Sequence, residues 1–226
     1  MVVINGVEIR SSLEELIHPQ HTALLIYDMQ VGIVRQINDG GTVFRNVLSL
    51  LEAARNAHVR TIFTRHMSLP PEFLGAFGYR MAMAWQRKTN PAEVTAPFRR
   101  NSHNFQLAPE LEVRPSEVIF DKLAMSAFEG TPLEFTLRNC GIRSLIIAGI
   151  ALEIGIEPTC RHAADLGIIP ILVQDACGAG DAEAAGHCVA ALQHMGDTIV
   201  TDLQTVTAWL RASASLQPDM HPKRKT

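Results

Sequence analysis

The sequence predicts a three-layer α/β fold in which a doubly wound, mainly parallel sheet is covered by helices on both faces. Six short runs rich in Ile, Leu and Val alternate with longer segments of helical pattern, the βαβα order that generates a parallel sheet. Their Ile, Leu and Val content suits strands covered on both faces. The chain has 226 residues, 47% hydrophobic and 19% charged, enough apolar material for one large core and no compositional sign of disorder.

Strands are expected over residues 23–27, 59–64, 117–121, 144–149, 168–173 and 198–201, with helices over 43–57, 132–140, 154–166, 182–195 and 205–211. Thr131 precedes Pro132, so the threonine can cap a helix whose first residue needs no N–H donor. Gly141 and Gly167 each follow a predicted helix, where a left-handed residue closes the last turn. The segment 65–115 interrupts the alternation with several prolines and Trp85. It is expected to hold a short helix near 76–86, and two readings of it stand: a border of the ligand pocket, or a surface excursion over a sheet edge or subunit contact. The whole chain reads as a single domain with its core at about residues 20–210 and a flexible C-terminal tail.

Net charge is −3 and no basic stripe tracks a phosphate backbone, so neither nucleic acid nor an anionic membrane is the expected partner. A small molecule is. The tail cluster Lys223, Arg224 and Lys225 reads as a solvated terminus. Cys140, Cys160, Cys177 and Cys188 form no CxxC pair, which argues against a zinc ribbon or disulfide framework and suits a reducing cytoplasm. Neither a secretory leader nor a membrane span is expected from the apolar runs.

In open α/β sheets ligands bind beyond the carboxyl ends of the strands, and charged residues there carry the functional reading. Asp28 ends the first run in Leu24-Leu25-Ile26-Tyr27-Asp28-Met29-Gln30, Lys122 follows the third, and Gly149-Ile150-Ala151 follows the fourth. Singly, an aspartate at a strand end is a turn residue and a lysine there is solvated. Together they predict a carboxylate and an ammonium meeting in one crevice, both ionised or sharing a proton.

The strings LLIYDMQ, DKLAMSAFEGTPLEFTLRNCGI, LIIAGIALEIGIEPTCRHAADLG and VQDACGAGDAEAAGHCVAAL resemble the isochorismatase-like hydrolases, a group that includes isochorismatases, nicotinamidases, N-carbamoylsarcosine amidohydrolases and biuret hydrolases. The resemblance implies a sheet of order 3-2-1-4-5-6, an aspartate, lysine and cysteine triad, and association into a dimer or tetramer. It matches Asp28 to the aspartate and Lys122 to the lysine, and it sets Gly155 where amidase members carry the cysteine. It also implies a non-proline cis peptide between Ile150 and Ala151, turning backbone N–H groups toward a substrate oxygen. Gln30, Ser126 and Phe128 match family positions beside the pocket. His66 is a further substrate contact or a satisfied loop histidine, and Arg65 and Trp85, with Tyr79, Arg80 and Arg87, are candidate specificity groups.

Leu152, Glu153 and Glu157 around Gly155 also depart from the amidase pattern, so a natural lineage rather than one lost residue is implied. Isochorismatases likewise carry glycine there, but Ala151 and Glu153 do not match their surrounding aromatic and histidine. The nicotinamidase metal motif is not recognisable, and neither metal nor cofactor is expected. The function implied is hydrolysis of a small polar metabolite by Asp28 acid/base catalysis, of the vinyl ether or a related C–O or C–N kind, with Gly155 leaving room for water or substrate. The alternatives are a ureide or amide hydrolase of the biuret or N-carbamoyl type, using Cys177 or activated water, and a catalytically silent binder.

Overall fold

In the computed structural model, residues 2–10 and 12–215 are described; the tail cluster at Lys223 and its neighbours lies outside them. The strands are β1 (Val2–Ile4), β2 (Val7–Ile9), β3 (Thr22–Tyr27), β4 (Arg60–His66), β5 (Val118–Lys122), β6 (Ser144–Ile150), β7 (Ile169–Gly178) and β8 (Ile199–Thr201). The helices are α1 (Leu13–Leu16), α2 (Val31–Val34), α3 (Gly40–Asn56), α4 (Gly75–Gln86), α5 (Leu133–Asn139), α6 (Glu157–Asp165), α7 (Ala182–Met195) and α8 (Leu203–Ser215). A π-helical turn, Leu152–Ile156, leads into α6.

The main sheet runs β5-β4-β3-β6-β7-β8 and its ladders are parallel. An antiparallel hairpin, β1 and β2, precedes it, so the expected numbering is offset by two strands. The hairpin had a sequence signal, Asn5-Gly6 between Ile4 and Val7; both residues take positive φ, 52° and 79°, as a two-residue hairpin turn requires. Its strands are exposed throughout.

Side chains leave β3 alternately to two cores, as strand geometry dictates. Leu24 and Ile26 join the cluster holding Val47, Leu50 and Leu51 of α3 with Val206 and Leu210 of α8. Ala23, Leu25 and Tyr27 join the cluster holding Leu133 and Leu137 of α5, Cys160 of α6 and Val189 of α7. The helical runs broke where the sequence indicated, with Gly141 at φ 65° and Gly167 at φ 75°. At the start of α5 the Thr131 hydroxyl accepts the Leu133 N–H at 3.2 Å. Among the described residues no helix is long and apolar enough to cross a membrane.

Topology brings the carboxyl ends of β3, β4 and β5 side by side, and the strand order reverses between β3 and β6. The segment between β4 and β5 contributes α4, which buries no residue, and turns that seat Phe105 against the sheet ends at 1% exposure.

Candidate active site

Asp28 leaves β3 with a positive φ of 47°, a conformation aspartate tolerates better than most residues. Its carboxylate is buried at 3% exposure and fully engaged. Oδ1 accepts the Thr64 hydroxyl at 2.7 Å, and the Asp28 N–H donates back to that hydroxyl oxygen at 3.2 Å. Oδ2 meets the Lys122 ammonium at 2.8 Å. The ammonium also donates to the Ala124 carbonyl at 3.2 Å and lies 4.2 Å from the centre of the Tyr27 ring. Three neighbouring strands, β3, β4 and β5, thus place one group each in a single buried cluster, since Thr64 ends the buried part of β4 and Lys122 ends β5.

Gly155 lies in the π-helical turn, its N–H donating to the Ala151 carbonyl at 3.0 Å. Its carbonyl accepts the Thr159 hydroxyl at 2.6 Å, which in turn accepts the Ala127 N–H at 3.0 Å. The peptide between Ile150 and Ala151 is cis. The space beside Gly155 is taken by the chain itself. A Cβ on Gly155 would lie 2.8 Å from Cε1 of Tyr27 and closer still to its Cζ and hydroxyl.

The other sequence candidates divide by what they touch. Gln30 is buried and its amide is spent on backbone: it donates to the carbonyls of His66 and Phe105 at 3.0 and 2.8 Å and accepts the His66 N–H at 2.6 Å. It locks the end of β3 to the end of β4 and to the long segment. Arg65 pairs with Asp121 at 2.8 Å, with its guanidinium 4.3 Å from the centre of the Phe105 ring. Ser126 Oγ and His162 Nδ1 are 3.0 Å apart, and Phe128 stacks obliquely on His162 at 5.1 Å. His66 is set edge-on between Trp85 at 6.1 Å and Phe98 at 5.9 Å, and Trp85 is 46% exposed.

Burial and the nearby Lys122 charge push His66 down to about 4, with Asp28 opposing. In the unfolded chain the imidazole takes its proton near pH 6.5. Stability held above that pH is therefore lost as pH falls from about 6.5 toward 4. His66→Phe keeps a ring between Trp85 and Phe98 and removes the titration. Denaturant unfolding should show the wild type losing about 2 kcal/mol more than the variant between pH 7 and 4.5. Parallel losses in the two proteins would refute a neutral, buried imidazole.

Sequence reasoning missed Thr64 and Tyr27. Each is a polar residue inside a buried strand, Thr61-Ile62-Phe63-Thr64 and Leu24-Leu25-Ile26-Tyr27, and a buried polar group must find a partner. That was the available signal. A further polar contact joins Glu153 Oε1 to the N–H groups of Gly180 and Asp181 at 2.8 and 3.1 Å, tying the turn before α6 to the start of α7.

A cavity of about 570 Å³ opens elsewhere, at the carboxyl ends of β7 and β8, lined by Asp39, Asn46, Gln174, Asp175, Cys177 and Asp202 among others. It does not touch Asp28, Lys122 or Gly155. Two of its acidic residues have local work: Asp175 accepts the Leu203 N–H at 2.7 Å and Asp202 the Thr205 N–H at 2.7 Å. The opposed charges converge further along the same carboxyl edge, at β3 and β5, beside the strand-order reversal where α/β folds bind ligands. Among the described residues no three His, Cys, Asp or Glu side chains are grouped to hold a metal ion.

Comparison with known proteins agrees with this architecture. Residues 22–204 match the isochorismatase domain. Ureidoacrylate amidohydrolase RutB of Enterobacter sp. (strain 638) is 28% identical over 174 residues, covering 70% of this chain and 75% of that protein. The isochorismatase family protein YecD of Escherichia coli O157:H7 is 31% identical over 163 residues, 72% of this chain and 82% of that one. In fold, the crystal structure of a cysteine hydrolase from Pseudomonas syringae pv. phaseolicola 1448A superposes with a TM-score of 0.73 at 23% identity, over 88% of this chain and 96% of that one. A parallel sheet of this order, an aspartate and lysine in contact at its carboxyl edge, and a domain match spanning most of the chain place this protein in the isochorismatase family of hydrolases.

Proposed function

We propose that this hydrolase cleaves a C–O or C–N bond of a small polar metabolite by acid/base chemistry at Asp28 and Lys122, with no covalent intermediate on a cysteine. The observation that carries the reading is the 2.8 Å contact between the two charges inside a buried site. A carboxylate and an ammonium in direct contact form a unit that can deliver a proton and recover it, and such transfer accelerates reactions by about 10² to 10⁴. For a vinyl ether, Lys122 passes a proton to the Asp28 carboxylate, the resulting carboxyl protonates the alkene carbon, water adds to the oxocarbenium carbon and gives a proton back to the pair, and the hemiketal collapses to a carbonyl and an alcohol. The proton from the attacking water returns the pair to its starting state. Retention of such a pair argues against a purely binding protein, which has no use for it.

A second reading has its own support. The similarity to ureidoacrylate amidohydrolase RutB favours a ureide or amide, attacked by a water that the Asp28 carboxylate activates while backbone N–H groups near Ala151 receive the developing oxyanion. Both readings use the same pair. Isochorismate, simple amides, ureides and carbamates should be offered to the wild type and to Asp28→Ala. A compound consumed by the first and spared by the second supports the proposal; equal consumption by both overturns it.

A thiol route has little physical support. Burial pushes Cys160 up to about 12 and raises Cys177 further, and a thiol rather than a thiolate is a poor nucleophile. Cys177 lines the cavity at β7 and β8 instead of the charged pair. Pretreatment with iodoacetamide at neutral pH should therefore leave turnover within about twofold, since protonated thiols react slowly and the half-buried Cys177 lines a cavity that does not reach the charged pair. Inactivation that tracks alkylation of Cys177 would restore the thiol.

A further inference from the structure

We infer that Tyr27 is the third member of the Asp28–Lys122 site, a positioning residue whose ring face seats the Lys122 ammonium and whose phenol fills the space a side chain at residue 155 would need. The inference deepens the non-covalent reading above and rests on it only for the reaction, because the geometry is independent of substrate.

Tyr27 is a polar residue that follows the aliphatic run Ala23-Leu24-Leu25-Ile26 of β3, 2% exposed. An aliphatic residue there would bury as well without needing a partner for a hydroxyl. The phenol has found one, donating to the Met125 carbonyl. That carbonyl belongs to the segment following Lys122, and the neighbouring Ala124 carbonyl accepts from the Lys122 ammonium at 3.2 Å. Phenol and ammonium are therefore held by adjacent peptides of one loop. The ammonium stands 4.2 Å from the ring centre, within the range where a cation is drawn to an aromatic face, and more strongly so in a desolvated site. Carboxylate, carbonyl and ring face thus surround one ammonium.

Gly155 completes the arrangement from the other side. A Cβ there would fall 2.8 Å from Cε1 of Tyr27 and nearer still to Cζ and the hydroxyl oxygen. The obstructing group has no free rotation with which to yield, being buried, hydrogen-bonded and packed in one core with Phe128, Leu152 and Ile156. Tyr27 and Gly155 are therefore a matched pair: the glycine makes room for the phenol, and the phenol excludes any side chain, nucleophilic or not, from that turn. Burial, with the Asp28 charge beside it, holds the phenol well above its ordinary range. The hydroxyl keeps its proton and anchors the ring instead of exchanging protons with Asp28.

Two substrate-free readouts test this. The first is a thermal-unfolding cycle over Gly155→Cys, Tyr27→Leu and both together. Overpacking costs about 1 to 3 kcal/mol and a chain of this size loses roughly 2 to 4 °C per kcal/mol, so Gly155→Cys alone should lower Tm by roughly 2 to 12 °C. In the Tyr27→Leu background the same change should cost less than about a third of that shift. The second is the ¹H–¹⁵N signal of the Lys122 ammonium, assigned by its loss in Lys122→Met. Ring current should displace it in the wild type and in Tyr27→Phe, and the displacement should vanish in Tyr27→Leu. Equal Tm losses from Gly155→Cys in both backgrounds, or an ammonium signal unmoved in Tyr27→Leu, would overturn the inference. Neither readout depends on turnover, so failure of the acid/base reading, seen as activity surviving loss of Asp28, is separately detectable.

Discussion

Asp28→Asn should reduce turnover of an identified substrate by about 10² to 10⁴, the contribution a positioned general acid or base makes. The substitution is close to isosteric, and an asparagine oxygen can still accept from the Thr64 hydroxyl that now donates to Oδ1 at 2.7 Å. The backbone N–H bond from Asp28 to the Thr64 hydroxyl is untouched. What disappears is the capacity to carry a proton and the charge facing Lys122 at 2.8 Å. The expected signature is a fall in kcat and in kcat/KM together, since an interaction made only in the transition state is lost. A rise in KM with kcat unchanged would make Asp28 a binding group, and the acid/base assignment would then be wrong.

The second large effect is on stability. Lys122→Met keeps an unbranched chain of similar length and removes the ammonium, leaving the Asp28 carboxylate at 3% exposure with Thr64 as its remaining side-chain partner. Breaking a buried ion pair from one side costs about 3 to 5 kcal/mol, because the uncompensated charge stays buried without its partner. Chemical denaturation should register that loss. Removing both charges is a different experiment. In Asp28→Leu with Lys122→Met no charge remains to be solvated, and most of the stability should return, as replacement of buried ion pairs by apolar groups of similar volume commonly shows. Activity should stay absent in the double variant. A Lys122→Met protein within about 1 kcal/mol of wild type would mean that the pair is more hydrated than its burial indicates.

The two predictions separate roles that one contact combines. The ion pair is costly to half-dismantle, yet its net worth to the fold is small. Stability alone therefore gives little reason for the pair, which suits the proposed chemistry. The surrounding groups support that view: Thr64 fixes one carboxylate oxygen, Ala124 and Tyr27 hold the ammonium, and Gln30 clasps the strand ends that carry them. A site held this way loses little freedom when a substrate arrives.

The local grammar of the chain was legible in the residues alone. Runs such as Leu145-Ile146-Ile147 and Ile171-Leu172-Val173 are buried strands because no other short element hides apolar side chains on both faces. The span Ala182–Met195 of α7 was set by its flanks, with Asp181 accepting the Ala184 N–H at 2.9 Å and Gly196 at φ 75°. The positions of Asp28 and Lys122 at strand ends were readable for the same reason, because strand ends are local.

The spatial partners of these residues depended on contacts between distant parts of the chain. Arg65 and His66 are adjacent in sequence, but one answers Asp121 and Phe105 while the other lies between Trp85 and Phe98, since successive strand residues face opposite ways. Gln30 read as a pocket residue, and the fold spends both ends of its amide on backbone. The space expected beside Gly155 for water or substrate holds the ring of Tyr27, 128 positions earlier in the chain. By itself the sequence determined which segments become strands and helices and which charges stand at their ends, because those depend on periodicity and on neighbours a few residues away. Only the packed sheet, laying β5, β4, β3 and β6 side by side, decided which side chains meet, because that meeting is a property of strand order and not of any stretch of chain.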